Sequence, residues 1–396
     1  MRGTMRGACL AVSMALLVAA CGGETEPDGP IEPVIDLAGL DVGNYATQPR
    51  DLGLPDNPEQ ARFVEAERLG NHVPTPAEIE PGFVHPNPFM PHVFIDPEAT
   101  LGRIMAVDRF AEAAPGFVGG FVSGAGNHPR NDGIDLLNAV MIFPDPQQAT
   151  AAAAALERVD FEANTRNEPI EIPRYPGAHA HWQPTEQSIG VWYATGNLVV
   201  YTWVYDYLKI HLKKVDRPAL LELVHKSLDT IVPAVAAFRP TPVDALMTAP
   251  VDLDGMLGRT LKRPAEDSWT NPPGAYAGRA AAHFGSEPDD VARTVAENGV
   301  DRFAADGADV YRARDYAAAL RVQEDLGGLS RKFQRVESPV NLPTALCKEY
   351  IGREMLAVRF YCSVTAGRYA AFTWASQLLD AQQRVSAQYA LLVNAR

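Results

Sequence analysis

The chain has 396 residues, of which 46% are hydrophobic and 21% are charged, and its formal net charge is −14. This composition suits a globular protein with an apolar core, and the length suits two or three domains. An acidic surface repels phosphate backbones, so nucleic acid is not expected as a partner.

The first 20 residues have the layout of a secretory signal. Arg2 and Arg6 give a positive start, and an apolar run from Ala8 to Ala20 leads directly into Cys21. A membrane-spanning helix needs about 20 apolar residues, and this run is shorter. The pattern therefore predicts a signal peptide over residues 1–20.

The end of this segment has the form of a bacterial lipobox. In that chemistry the cysteine thiol receives a diacylglyceryl group, the signal is cut before it, and Cys21 becomes the first mature residue. The polar, Gly- and Pro-rich residues that follow predict a flexible tether over 21–40. We expect an exported protein anchored by lipid to the outer face of the cytoplasmic membrane. A plain signal peptide with a chance cysteine is the alternative.

Hydrophobic periodicity and turn residues predict alternating helices and strands in the first half. An extended segment (Ile35–Pro55) precedes a helix over Pro58–Leu69, and the glycines of Gly116–Asn127 favour a mobile loop. The other expected elements are a Pro-rich loop (Pro74–Pro91), a helix (Pro97–Ala113), a strand (Leu136–Phe143), an alanine-rich helix (Pro146–Val159), a hairpin (Ser188–Tyr205) and an amphipathic helix (Arg217–Phe238).

The same order of elements returns in the second half. The pentapeptide Val-Asp-Arg-Phe-Ala occurs at 107–111 and at 300–304, and His92 and His283 each stand five residues before a proline that opens an acidic helix start. The second copy is expected to contain a helix (Pro288–Ala304), a strand (Ala308–Ala313), a helix (Asp315–Leu326), a hairpin (Val358–Trp374) and a helix (Leu378–Asn394).

These matches predict an α+β fold of two related lobes produced by internal duplication. Each lobe is expected to have a β-α-β-β-α core with its helices on one face of an antiparallel sheet. The N-terminal lobe is predicted over 41–245 and the C-terminal lobe over 250–396, with a cleft between them. The alternative is that two similar layouts coincide by chance.

The string from Leu40 to Asp51, together with Ala61–Leu69, resembles the opening of a family of actinobacterial, mycobacterial- or nocardial-type secreted lipoproteins. That family is two-domain and of unknown function, so the resemblance implies a cell-envelope address and no catalytic residues. The layout is also similar to the extracytoplasmic sensor domains of actinobacterial kinases.

Two cysteines lie in the predicted mature fold, Cys347 and Cys362, and both occupy strand-like segments. Outside the cytoplasm such a pair favours a disulfide, and a cross-strand bridge adds roughly 3 kcal/mol of stability. A metal pair or a redox pair are the alternatives. They are disfavoured because no histidine is nearby and the spacing is not C-x-x-C.

The best metal candidate is the pair His179 and His181, because residues two apart on a strand point the same way. A third ligand is not identifiable, so exposed strand histidines are the favoured interpretation. His92 and His283 suggest a shared structural role. Trp203 and Trp374, with neighbouring aromatic residues, favour core packing over an apolar groove.

No phosphate-binding loop or nucleophile elbow is found, and no cofactor is predicted. We therefore expect a non-enzymatic protein of the cell envelope that binds or senses an envelope lipid, a glycan such as a peptidoglycan fragment, or another protein. An envelope hydrolase or transferase with an unrecognised active site is the alternative.

Overall fold

The computed structural model describes residues 29–86, 91–130, 132–267, 271–354 and 356–395. Its helices in the first half are α1 (Pro58–Gly70), α2 (Pro76–Ile79), α3 (Pro97–Leu101), α4 (Phe110–Ala113), α5 (Pro146–Glu162), α6 (Tyr207–His211) and α7 (Arg217–Val235). Those in the second half are α8 (Pro288–Glu297), α9 (Tyr316–Gly327) and α10 (Leu378–Asn394). Short 3₁₀ segments cover Leu37–Gly39, Val243–Thr248, Leu253–Gly255 and Gly278–His283.

The strands form two antiparallel sheets. The N-terminal sheet contains β1 (His85–Pro86), β2 (Val93–Phe94), β3 (Gly119–Gly126), β4 (Ile134–Ile142), β5 (Glu168–Pro169), β6 (His179–Gln183), β7 (Ser188–Thr195) and β8 (Leu198–Asp206). The C-terminal sheet contains β9 (Gly274–Ala277), β10 (Arg302–Ala305), β11 (Asp309–Arg312), β12 (Phe333–Val336), β13 (Leu346–Tyr350), β14 (Phe360–Ala366) and β15 (Tyr369–Ala375).

The two sheets have the same strand order. The first runs β1-β3-β4-β8-β7-β6-β5, with β2 also paired to β3, and the second runs β9-β10-β11-β15-β14-β13-β12. Both central hairpins turn through a glycine with positive φ, Gly196 at 56° and Gly367 at 53°. The predicted α+β class and two-lobe architecture are confirmed, and the shared order supports internal duplication.

Local sequence explains where several helices begin. Asp145, Asn57 and Asp315 each accept a hydrogen bond from a backbone N–H of the first turn of α5, α1 and α9. In α1 and α5 a proline follows the capping residue, where its fixed φ suits the helix and its missing N–H costs nothing.

The helices pack on both faces of each sheet, so the prediction of one covered face is wrong. In the N-terminal lobe, Val200 and Val204 pack in one cluster with α7, whereas Val199 and Tyr201 pack in another with α5. In the C-terminal lobe α10 and α9 take the corresponding opposite faces. The physical reason is that both alternating sets of side chains on these strands are apolar.

The predicted helix over Pro97–Ala113 is two short helices, α3 and α4. Tertiary contacts hold the backbone between them: the Tyr201 hydroxyl donates to the Ile104 carbonyl at 2.5 Å, and the Ala106 N–H donates to Asp160 at 2.5 Å. Because these groups are bonded elsewhere, they are not available to a continuous helix.

The second predicted helix, over Pro288–Ala304, ends at Glu297, and Gly299 follows it with a φ of 57°. Residues Arg302–Ala305 then form β10. The last three residues of the second pentapeptide, 302–304, thus belong to a strand, whereas the first copy, 107–111, is part of a turn and a short helix. It does not mark equivalent positions, although the lobes themselves correspond.

The segment Gly116–Asn127, interpreted as a mobile loop, is mostly strand β3 and lies inside the sheet. Its glycines allow close approach of neighbouring side chains. A Cβ at Gly120 would lie 2.5 Å from the Phe94 ring, and one at Gly124 would lie 2.6 Å from Leu137. This strand is glycine-rich because of packing.

The segment Glu32–Gly53, here called the N-terminal strap, runs along the C-terminal lobe. It is mostly irregular, as predicted from Ile35 onward, and its first residues, which the sequence assigned to the flexible tether, contact that lobe through Glu32 and Gly39. The Tyr45 hydroxyl donates to Asp380 at 2.5 Å and accepts from Arg384 at 3.0 Å. Arg50 donates to the carbonyls of Leu257 and Thr260 and pairs with Asp306. The chain therefore contacts the C-terminal lobe before it enters the N-terminal one.

The lobes join through α1, which packs against both β3 and β9, and through a buried histidine. Nε2 of His283 donates to the Val73 carbonyl at 3.1 Å, so Nδ1 is free to accept from the Ser123 hydroxyl at 2.9 Å. His92 lies against it, with ring centroids 5.8 Å apart. The two histidines do share a structural role, but they fill it by meeting at the boundary between the lobes, and their ring hydrogen bonds go to Val73, Ser123 and Val122 and not to the helix starts.

This boundary predicts a specific acid sensitivity. Burial, followed by the neighbouring His92, lowers the pKa of His283 from 6.5 to about 3. Below pH 6.5 the unfolded chain takes up a proton that the folded chain refuses, so the free energy of unfolding falls as the pH falls. Between pH 7 and pH 5 this single group accounts for a loss of about 2 kcal/mol.

Replacing His283→Gln should reduce that loss, measured by chemical unfolding at pH 7 and pH 5. His211→Gln changes an exposed histidine and serves as the control. Equal pH dependence in wild type and His283→Gln would contradict the assignment.

Candidate functional site

The two lobes contain cavities at equivalent places. In the N-terminal sheet a row of paired residues runs His181–Gly190–Trp203, and in the C-terminal sheet the corresponding row runs Lys348–Tyr361–Trp374. Each row lines a cavity, of about 650 Å³ in the N-terminal lobe and about 400 Å³ in the C-terminal lobe. Both volumes lie in the range of small-molecule sites.

In each lobe the cavity opens where the covering helix ends. Asp160 of α5 and Asp325 of α9 line their cavities, and each is two residues before the last residue of its helix. Under α5 the rings of Trp192 and Tyr201 are fully buried. Beyond its end, Trp203 and Tyr205 are only half-buried and face the cavity.

Three aromatic residues form a continuous stripe beside the N-terminal cavity. Trp203, Tyr205 and Tyr207 alternate along β8 and into α6, and all three are half-buried. The ring centroids of Trp203 and Tyr205 are 5.1 Å apart, and those of Tyr205 and Tyr207 are 4.4 Å apart. Trp203 packs against the core cluster under α5 but stays half-buried, so the prediction of core packing holds for it in part, whereas Tyr201 is fully buried.

His181 is buried between two carboxylates of α5. Its Nδ1 lies 3.1 Å from Glu157, and its Nε2 lies 3.3 Å from Asp160. Burial lowers the pKa of this imidazole, but the hydrogen bonds and charges of Asp160 and Glu157 together outweigh burial and raise the pKa above 6.5. The two carboxylates thus favour the protonated ring, in which both N–H groups are donated.

This arrangement does not suit a metal ion. A histidine ligand offers a ring lone pair, and both nitrogens of His181 are turned to carboxylates. The expectation of exposed strand histidines is wrong for His181, which is buried. His179 on the same strand is half-buried. Across the ranges that the structure describes, no group of three or more His, Cys, Asp or Glu side chains is placed to hold a metal ion.

Gln183 supplies an unsatisfied donor at the same cavity. The residue is 3% exposed, and its Oε1 accepts from the backbone N–H groups of Thr185, at 2.6 Å, and Glu186, at 3.0 Å. These bonds fix the amide orientation. Its Nε2 finds no hydrogen-bond partner within the described part of the chain. Such a donor costs free energy unless a ligand or water satisfies it.

The C-terminal cavity is smaller and differently charged. Nζ of Lys348 donates to the Gly328 carbonyl at 2.8 Å and lies 4.7 Å from the centroid of the Phe333 ring. Burial lowers the pKa of Lys348 and raises the pKa of Asp309, which lines the same cavity, to about 7. Tyr361 stands where the N-terminal lobe has Gly190.

The predicted disulfide lies at this cavity. Cys347 on β13 and Cys362 on β14 are direct cross-strand partners and are joined by a disulfide, and Cys362 contributes to the cavity lining. The prediction of a cross-strand bridge is confirmed. Cys21 lies outside the described residues.

The predicted cleft between the lobes corresponds to two cavities beside α1, of about 530 and 650 Å³, which share Val64, Glu67 and Val251. Burial raises the pKa of Glu67 well above 4.5, against a backbone hydrogen bond from Ala275 that lowers it. Ser123 and His283, which are hydrogen-bonded to each other at the boundary between the lobes, are both buried. They therefore link the lobes and are not placed to attack a substrate.

Comparison with protein-family models gives two matches. A model described as the N-terminal domain of unknown function DUF7373 matches residues 52–251, and its C-terminal counterpart matches residues 256–395. The chain belongs to the DUF7373 family. Its two domains correspond to the two lobes, and the resemblance to a two-domain family of unknown function is confirmed.

Two further comparisons say little about the activity of this DUF7373 protein. A search of curated proteins found no match. Among solved structures, the extracellular domain of PknH from Mycobacterium tuberculosis matches with a TM-score of 0.30 and 12% identity, over 42% of this chain and 95% of that one. In the ranges described here, no helix is long and apolar enough to cross a membrane.

Sequence reasoning missed Gln183, Tyr205, Tyr207 and Asp160 as parts of the site. A signal was present for the aromatic stripe, because Trp203, Tyr205 and Tyr207 repeat every second residue. Asp160 lies on α5 and Gln183 on β6, more than 20 residues apart in the sequence. Only the fold brings them together, so no local pattern indicates that they share a site.

We predict that His181→Gln destabilises the protein in a pH-dependent way. The substitution leaves two carboxylates without their shared cation, which should lower the free energy of unfolding by about 3 kcal/mol at pH 6. Because the folded pKa is raised, this contribution is complete below pH 6.5 and is lost as the pH rises through the folded value. Chemical unfolding from pH 5.5 to pH 9 measures it.

His179→Gln, two residues away on the same strand, is the matched control and should show little of this effect. A cost for His181→Gln that stays constant over the whole pH range would show that the imidazole does not act as a cation.

Proposed function

We propose that the protein is exported, lipidated at Cys21 and held on the outer face of the cytoplasmic membrane, where it binds an envelope ligand without converting it. The observation that carries the binding function is the pair of equivalent cavities at the ends of α5 and α9. The signal-like start, the lipobox form and the disulfide support the location.

The larger, N-terminal cavity is the proposed main binding site. It combines an aromatic stripe with fixed polar groups that can orient a ligand, and its lining is more polar than that of most small-molecule sites. Its ionisable core residues are already paired: His181 with Asp160 and Glu157. A group that is committed to partners in this way is suited to holding shape and less suited to accepting or donating protons in a reaction.

Native mass spectrometry of the full mature protein, purified from membranes in mild detergent, tests binding. We expect a bound small molecule in the wild type and its loss in Gly190→Tyr, which introduces at Gly190 the side chain found at the equivalent Tyr361. A Cβ there lies 3.0 Å from Trp192, so the thermal unfolding of this variant is checked, and Tyr205→Ala provides a second, milder variant.

Absence of any ligand in the wild type, or steady turnover of ester, glycoside or peptide substrates, would overturn the proposal in favour of an inert scaffold or an enzyme.

The anchor has its own test. Metabolic labelling with an alkyne fatty acid should label the wild type and place it in the membrane fraction, and Cys21→Ser should lose both properties. Cys9→Ser is the matched control, because Cys9 lies within the predicted signal peptide and its loss should leave the mature protein labelled. Continued labelling of Cys21→Ser would contradict lipidation at this position.

A further inference from the structure

We propose that the N-terminal cavity binds a neutral saccharide, with one face of a sugar ring against the stripe of Trp203, Tyr205 and Tyr207 and a sugar oxygen accepting from Nε2 of Gln183. This inference rests on the proposed binding function and adds the chemical class of the ligand.

The aromatic stripe fits the apolar face of a sugar. Its three rings follow one another along the end of β8 and into α6, beyond the end of α5, with Trp203 and Tyr205 stacked, and each ring is half-buried and lines the cavity. The C–H groups of a sugar ring form a flat apolar surface that packs on such rings, with weak contacts from C–H to the electron-rich ring faces.

The polar lining fits sugar hydroxyl groups. Nε2 of Gln183 is a buried donor without a partner in the described ranges, and the Ser188 hydroxyl lines the same wall. A hydroxyl group both donates and accepts, so one sugar can satisfy an amide donor and a carboxylate acceptor such as the exposed Glu186. A hydrocarbon chain in this position would leave Gln183 unsatisfied, which disfavours a lipid tail.

The charges disfavour an anionic ligand. The buried cation His181 has given both N–H groups to carboxylates and offers none to a phosphate or carboxylate. The other lining charges, Arg103 and Glu186, are exposed and of opposite sign. The interior of the cavity is therefore polar and close to neutral.

Gly190 is the cross-strand neighbour of Trp203, and its lack of a side chain leaves room for the Trp192 ring. A Cβ there would lie 3.0 Å from Trp192 and 3.7 Å from Nε2 of His181. In the C-terminal lobe Tyr361 occupies the same place beside Trp374. The saccharide site is thus a property of the N-terminal cavity, and Trp374 is its matched control.

The test uses the full mature protein in a detergent without a sugar headgroup. Trisaccharides of glucose, galactose, arabinose and N-acetylglucosamine are titrated by calorimetry, and tryptophan emission is followed in parallel. We expect at least one of them to bind. Trp203→Ala should weaken that affinity about tenfold and abolish the change in emission, whereas Trp374→Ala should leave both intact.

Gln183→Glu retains the acceptor oxygen and removes the donor, so it should also weaken binding. Folding of each variant is checked by circular dichroism. The inference is overturned if none of the trisaccharides binds, or if Trp374→Ala weakens binding as much as Trp203→Ala does.

The two proposals fail in different ways. A non-saccharide ligand found by native mass spectrometry, without trisaccharide binding, leaves the binding function standing and removes the saccharide. If native mass spectrometry finds no ligand and no trisaccharide binds, both the binding function and the saccharide are ruled out.

Discussion

Both faces of each sheet are apolar, and this constraint shapes the rest of the molecule. A sheet with two apolar faces needs helices on both sides, which α5 and α7 supply in one lobe and α9 and α10 in the other. The helix that covers one face ends before its strands do. Residues beyond that end, such as Trp203, pack against the core but stay half-buried and line the cavity, so the position of the cavity follows from the length of the helix.

Duplication explains why there are two such cavities, and divergence explains why they differ. The strand orders are the same, and the rows through Trp203 and Trp374 correspond residue by residue. At the middle position one lobe has Gly190 and the other Tyr361, which is associated with the difference in volume. A single position on a shared framework thus separates an open polar cavity from a narrower one.

Local sequence patterns predicted the parts of the fold that local physics determines. The helices with N-terminal caps, both glycine hairpins and the cross-strand cysteines lie close to the predicted places. The failures are tertiary. Tyr201 and Asp160 form hydrogen bonds with the backbone that would have continued α3. The glycines of β3 fit a strand because Phe94 and Leu137 occupy the space beside them. The two identical pentapeptides likewise form different structures because their tertiary surroundings differ.

The site residues show the same division between local and tertiary information. Alternation along β8 is a local signal from which Trp203 and Tyr205 could have been grouped, but the partners of His181 depend on how α5 lies across β6. His181 and His283 are both buried, yet their pKa values move in opposite directions, because one ring faces two carboxylates and the other a hydroxyl, a carbonyl and a second histidine. Burial alone does not decide the charge of a histidine.

These pairings also shape what the chain can bind. Its net charge is −14, yet Glu157 and Asp160 are paired with His181, Asp135 is hydrogen-bonded to Tyr207, and the buried Gln183 offers an uncharged amide donor. The acidic surface and the neutral cavity therefore both disfavour anionic ligands. The surface repels anionic polymers over long range, and the cavity offers stacking and hydrogen bonds, which a hydroxyl-rich neutral ligand uses without losing charge solvation.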